Sequence, residues 1–297
     1  MNYINITDEY AVCQANPTEW AKYHAIYRLS NLNELKSLTI KEDIQRYSNG
    51  DFCYWIVKGS KIVGGALIKP NLIKCAFMVP PFEAREDLAR VIFEYSSSIS
   101  DVSKEIIIPD AENDMERYWE GFGFRVDRKN KLMVGVTNKH QVIWNKKYKI
   151  AIPNEENAEE MAQLYYETYS KSPLKYISEQ TLDFQIKSVD VFFNHIKDND
   201  IPNYWSSLVY DSSENKLVGS CAVGLVNNLP FILDIVVHPD YQKNGLASNM
   251  VKRVSNLSYN NYPAVSLNVI TGNDAELFYK KMGFVEFSET SHMMKTP

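Results

Sequence analysis

The chain has 297 residues, a length that favours two domains over one. With 45% hydrophobic residues, 23% charged residues and a net charge of −5, it has the composition of a folded globular protein. It lacks the basic blocks of a nucleic-acid binder, so no nucleic-acid partner is expected. No apolar run reaches the roughly 18 residues of a membrane span, so no membrane partner is expected either. The opening MNYINITDEY has neither the basic nor the apolar region of a signal peptide. Four scattered cysteines, Cys13, Cys53, Cys75 and Cys221, form no C-x-x-C pair. They suggest a reducing, cytoplasmic setting and argue against zinc. The five histidines show no metal spacing, and no metal is expected.

In chain order, PTEWAKYHAIYRLS at 17–30 reads as a helix. FCYWIV at 52–57 and SKIVGGALI at 60–68, rich in β-branched and aromatic residues, read as strands. The segment TNKHQVIWNKKYK is polar and basic around a short apolar patch, which fits either a linker or a strand crossing between domains. NAEEMAQLYYETYS at 157–170 is a second helix, with Asn154 as its cap. SSLVYD at 206–211, KLVGSCAVGLV at 216–226 and FILDIVV up to Val237 are strands. A helix follows from about Leu246 to Leu257, with Leu246, Met250, Val251, Val254 and Leu257 repeating on one face. VSLNVI at 265–270 is a strand, and a short helix over 273–282 ends at Gly283. Strands alternating with helices define an α/β protein.

The two halves resemble each other. RYWEGFGF at 117–124 parallels LFYKKMGF at 277–284, and SKIVGGALI parallels NKLVGSCAV. Pro80 and Pro239 add a third landmark at the same offset of about 160 residues, which indicates a tandem duplication. The expected domains are 1–138 and 147–297.

DYQKNGLASNM at 240–250 lies between a strand and a helix start. Such a turn leaves backbone N–H groups free beside the positive end of the helix dipole, which suits a pyrophosphate. Gly245 has no Cβ to block a ligand or forbid positive φ. The run QKNGLA, 242–247, resembles the pyrophosphate loop Q/R-x-x-G-x-G/A of the Gcn5-related N-acetyltransferases, the GNAT family. Asn273, Ala275, Tyr279, Lys281, Gly283 and Phe284 stand in the order of that family's second signature. The resemblance implies two tandem GNAT-like domains, each a mixed, splayed, mostly antiparallel sheet flanked by helices.

It also implies acetyl transfer from acetyl-coenzyme A, the co-substrate, to a primary amine of a small molecule or peptide through a ternary complex. Alternatives are a longer acyl-coenzyme A as donor, or a non-catalytic acetyl-coenzyme A sensor. By that resemblance the cofactor contacts fall on Gln242, Lys243, Asn244, Gly245, Leu246, Ala247 and Ser248, with Asn268 and Asn273 as further contacts. Ile235, Val236 and Val237 would run beside the pantetheine arm at a bulge, where the N–H of Val236 or Val237 could meet the thioester oxygen. Asp234 is the lone carboxylate of its apolar strand and the candidate base, acting directly or through water; burial would raise its pKa toward the useful range. Its plainer reading is a strand-surface aspartate or one paired with a lysine. Tyr279 is the candidate acid, or else a core aromatic beside Phe278. Asn273 fits a helix cap equally well.

The first half departs from these motifs. Glu83, Glu86 and Asp87 stand opposite Gln242, Gly245 and Leu246, and Trp119 stands opposite Tyr279. Carboxylates there repel a pyrophosphate by roughly 4 kcal/mol per contact at an effective dielectric of 20. The first half is therefore expected to bind no coenzyme A, and to serve as structural support and a wall of the acceptor pocket. A monomer or a homodimer is expected.

Overall fold

In the computed structural model a succession of three strands, helix, strand, helix and strand occurs twice, after different opening elements; the structure describes residues 3–24, 45, 47, 50–178, 180–198, 201–226 and 229–297. The first series is β1 (Tyr3–Asn5), β2 (Tyr10–Gln14), α1 (Pro17–His24), β3 (Cys53–Lys58), β4 (Lys61–Lys69), β5 (Leu72–Met78), α2 (Arg85–Ile99), β6 (Ile106–Glu112), α3 (Glu116–Gly121) and β7 (Arg125–Val136). The second is β8 (Tyr148–Ala151), α4 (Ala158–Tyr169), α5 (Lys175–Ser178), α6 (Leu182–Asp198), β9 (Ser207–Asp211), β10 (Lys216–Val226), β11 (Leu229–Val237), α7 (Leu246–Ser258), β12 (Ala264–Ile270), α8 (Asp274–Lys281) and β13 (Val285–Lys295). The helix expected over 17–30 is helical through His24, and 25–30 lie outside the described residues.

Two compact units result: Met1–Lys131 with Phe287–Pro297, and Leu132–Glu286. The second boundary differs from the division expected at 147–297. The chain's last strand leaves the unit that its sequence half builds and pairs antiparallel with β6, Met293 opposite Ile108. A strand so placed satisfies backbone N–H and C=O groups that a sheet edge would leave open. Local sequence carries no mark of which edge a strand will choose.

In the first unit β1 to β5 form an antiparallel run, and β6 lies parallel to β5. Helix α2 buries Leu88, Ala89, Val91 and Ile92 in a core with Val12, Ile56 and Ile68. A smaller cluster gathers Trp20, Cys53, Trp55 and Phe77.

In the second unit β8 to β11 are antiparallel and β12 runs parallel to β11. Met250 and Val254 of α7 are fully buried, each contributing about 2 kcal/mol by removal from water. Helix α6 was not among the elements expected from sequence. Its buried Val189, Phe192, Phe193 and Ile196 have helical spacing, but exposed Phe184, Ile186 and Val191 blur the stripe. The segment expected as a linker or crossing strand is held along α7. Asn138 N–H donates to Ser255 Oγ at 2.8 Å, and Asn256 clamps His140 through both its N–H and its carbonyl.

Candidate functional site

Two strands of the second unit separate beside the candidate site. β11 and β12 pair only at Phe231–Ser266 and Ile232–Leu267, although they continue to Val237 and Ile270. On its other side β11 slips register against β10: Ala222 faces Asp234 and Val223 faces Ile232, so Leu233 is the extra residue. Such a bulge bends a strand and increases its twist. It lies at Leu233, upstream of the expected stretch Ile235–Val237. Val236 and Val237 instead stay in register with Ser220 and Gly219, with buried side chains, so only their backbone can face a ligand.

The separation opens a cavity of about 570 Å³. Asp234, Ile235, Gln242, Asn268, Asn273 and Tyr279 all line it, gathering residues from β11, β12, the turn and α8. The described lining residues all fall between Thr168 and Tyr279, so the wall expected from the first half is not among them.

Asp234 touches the cavity, yet protein atoms surround most of it. Burial pushes its carboxyl up to about 6, while a Tyr169 hydrogen bond and the Ile235 N–H pull the other way. The Tyr169 hydroxyl, from the last turn of α4, donates to Asp234 Oδ1. Sequence reading missed Tyr169. Tyr165 and Tyr169 stand four apart on one helix face, which hints at a shared direction but not at a partner 65 residues away. Tyr165 shares a 3.0 Å hydrogen bond with Ser220. Tyr279 is 5% exposed and packs between Phe278 and Phe284, with ring centroids at 5.1 and 5.8 Å. Burial, with Cys221 and Asp234 nearby, pushes its phenol well above the usual range. It is therefore a core aromatic that also lines the cavity, and its hydroxyl keeps its proton.

The turn before α7 has the backbone a phosphate cradle needs. Gly245 is left-handed at φ +75 and Lys243 at φ +62. Among the described residues no backbone carbonyl accepts from the N–H groups of Lys243 to Ser248; the first such bond is Asn249 N–H to Gly245. The side chains around them brace the turn. Gln242 Nε2 donates to the Val237 carbonyl at 3.1 Å, and Asn244 Nδ2 to that of Tyr241 at 3.1 Å. Leu246 is buried in the core, so only its N–H is offered. Of this turn only Gln242 lines the cavity. Asn273 caps α8, accepting from Ala275 N–H at 3.0 Å, and lines the cavity as well. His238, 5% exposed, accepts from Asp240 N–H through Nδ1, a packing and capping role.

The corresponding turn in the first unit is built differently. Ala84 precedes α2 with no side-chain cap, and Glu86 and Asp87 fill the first turn. Asp87 is held by Tyr10 Oη at 2.8 Å and by Arg90. Trp119 is 1% exposed and packs on Phe124.

A parallel pair that splays beside a bulge, followed by a turn of free N–H groups at a helix start, is the architecture of the GNAT fold. Residues 204–286 match the family model described as "Acetyltransferase (GNAT) domain". The chain is similar to a GCN5-related N-acetyltransferase from Sphaerobacter thermophilus, with a TM-score of 0.71 at 13% identity over 98% of this chain and 96% of that one. It is similar to a tandem GNAT protein from the clavulanic acid biosynthesis pathway, with a TM-score of 0.63 at 10% identity over 96% and 98%. A GNAT-family acetyltransferase from Colwellia psychrerythraea gives a TM-score of 0.55 at 10% identity over 97% and 100%. No match is found among curated proteins. The chain has the tandem GNAT fold, and its second unit carries a GNAT domain, a fold that serves acyl transfer. Among the described residues no helix is long and apolar enough to cross a membrane.

Proposed function

We propose that the chain transfers an acetyl group from acetyl-coenzyme A to a primary amine, using one site in the second unit. The observation that carries this reading is that Asp234 and Tyr279 line one cavity beside the separated strands. The co-substrate supplies an activated acyl thioester. The free N–H groups of Lys243 to Ser248 would hold its pyrophosphate, and Asn268 and Asn273 would flank its arm.

Asp234 takes a proton from the incoming ammonium when the carboxyl is ionised, at or above about pH 6. The freed lone pair attacks the thioester carbonyl, whose oxygen takes a hydrogen bond from the Val237 N–H, since the Val236 N–H faces Ser220 in the ladder. The C–N bond forms, the C–S bond breaks, and the nitrogen's second proton is lost as the sulfur gains one. Tyr279 donates a hydrogen bond to the departing sulfur. Burial makes its phenol a weaker acid than a thiol, so it stabilises the thiolate mainly by that hydrogen bond, and the full proton follows as the thiol leaves.

In the first unit, Glu86, Asp87 and the buried Trp119 support a structural role without coenzyme A. Thiol release from acetyl-coenzyme A over a panel of amines tests the reading. Initial rates varied in both substrates should give intersecting lines for direct attack; parallel lines would exclude a ternary complex. Binding of acetyl-coenzyme A without thiol release from any amine would mark a sensor instead.

A further inference from the structure

Resting on that reading, we propose that the acceptor is a monoamine with an apolar body, such as an arylalkylamine, and not a polyamine or another polycation. Besides the Gln242 turn, β12 and the start of α8, the cavity is walled by the end of α4, by α5 and α6, and by the bulge. Its charge is sparse. Among the described lining residues Asp234 is the one carboxylate and Lys171 the one cation. A buried ammonium needs a carboxylate or a full set of acceptors, because an unpaired charge in a cavity is strongly unfavourable. Asp234 can serve one ammonium. A second or third ammonium on the same molecule would find no further carboxylate among these residues, and Lys171 would repel it.

The remaining wall mixes uncharged polar side chains with exposed apolar ones. Phe184 is 45% exposed and Leu233 is 39% exposed, and both line the cavity. Leu233 is the bulged residue and is exposed, whereas Phe231 and Ile232 just before it are both buried. Gly224 is part of the same arrangement. A Cβ there would come within 2.9 Å of Leu233 Cδ1 and 2.7 Å of His195 Nε2, so the missing side chain leaves both in place. Pro173 and Ile177 extend the surface. Gln185, which is buried, donates to Gln180 Oε1 at 2.8 Å, so part of the polar lining is already engaged within the protein. Large apolar side chains left exposed in a concave wall mark the part of a site that takes an apolar group. One ammonium partner beside such a wall selects an amine whose only charge is the reacting one.

The test compares phenethylamine with spermidine as acceptors for the purified full chain, by thiol release from acetyl-coenzyme A. Phenethylamine should have the higher kcat/KM, by about tenfold or more. Phe184→Ala should raise KM for phenethylamine by about tenfold while leaving KM for acetyl-coenzyme A nearly unchanged. Phe184→Asp adds a second carboxylate and should shift the preference toward spermidine. Spermidine used as well as or better than phenethylamine by the parent chain overturns the inference and leaves acyl transfer standing. An unchanged KM for phenethylamine in Phe184→Ala also overturns it. No thiol release with any amine overturns the transfer reading and this inference together.

Discussion

The Tyr169 hydroxyl donates a hydrogen bond to Asp234 Oδ1, tying the last turn of α4 to the bulged segment of β11. A donor to the charged form of a carboxylate holds its pKa down, here against burial that drives it up to about 6. Tyr169→Phe removes the donor and keeps the ring. The base then ionises at higher pH, and the acidic limb of the kcat/KM profile moves the same way. Near pH 6 the rate should fall by about three- to tenfold, with little change near pH 8.5. A profile whose acidic limb stays in place would show that Tyr169 does not set the ionisation of the base.

Asp234→Asn removes the proposed base. The rate should fall by about 10²–10⁴, with affinity for coenzyme A retained. A rate within about threefold of the parent would take Asp234 out of the mechanism.

The same substitution should affect stability with the opposite sign. The folded-state pKa of Asp234 lies above the usual carboxylate value, so the native state holds its proton to higher pH. Its contribution is fully present below about pH 4 and lost as pH rises through about 6. Asp234→Asn should therefore be the more stable protein at pH 8, by about 1–3 kcal/mol, with the difference vanishing near pH 4. Urea unfolding at the two pH values measures it.

Tyr279→Phe preserves a ring that is 5% exposed and packed on Phe278 and Phe284. Stability should change by less than about 1 kcal/mol, while kcat falls by about tenfold to a hundredfold. Unchanged turnover would leave Tyr279 a packing residue only.

Gly245→Ala tests the turn. Nothing lies within 4 Å of the added Cβ, but φ is +75, a conformation that costs an L-residue about 1 kcal/mol. The Cβ would also stand beside the free N–H groups. KM for acetyl-coenzyme A should rise by about tenfold with kcat less affected. Calorimetry on the parent should find one coenzyme A site per chain; two would contradict the structural role proposed for the first unit.

Much of this site is legible locally because its parts are local. A glycine between a strand and a helix start marks a left-handed turn, and Gly245 takes that conformation. A lone carboxylate in an apolar strand marks a perturbed acid, and Asp234 is one. Asn273 fits a helix cap by sequence, and it caps α8 at the edge of the cavity.

What the sequence by itself determined was the alternation of strands and helices, the repeat, and the backbone chemistry of the turn at 242–247. Each depends on residues within a few positions of one another. Tertiary structure alone decided which tyrosine meets Asp234, where β11 bulges, and which unit receives β13. Those outcomes depend on register and edge pairing between segments far apart in the chain. There the free energy comes from groups that meet only after folding, and one residue of slip reverses every side chain on the strand.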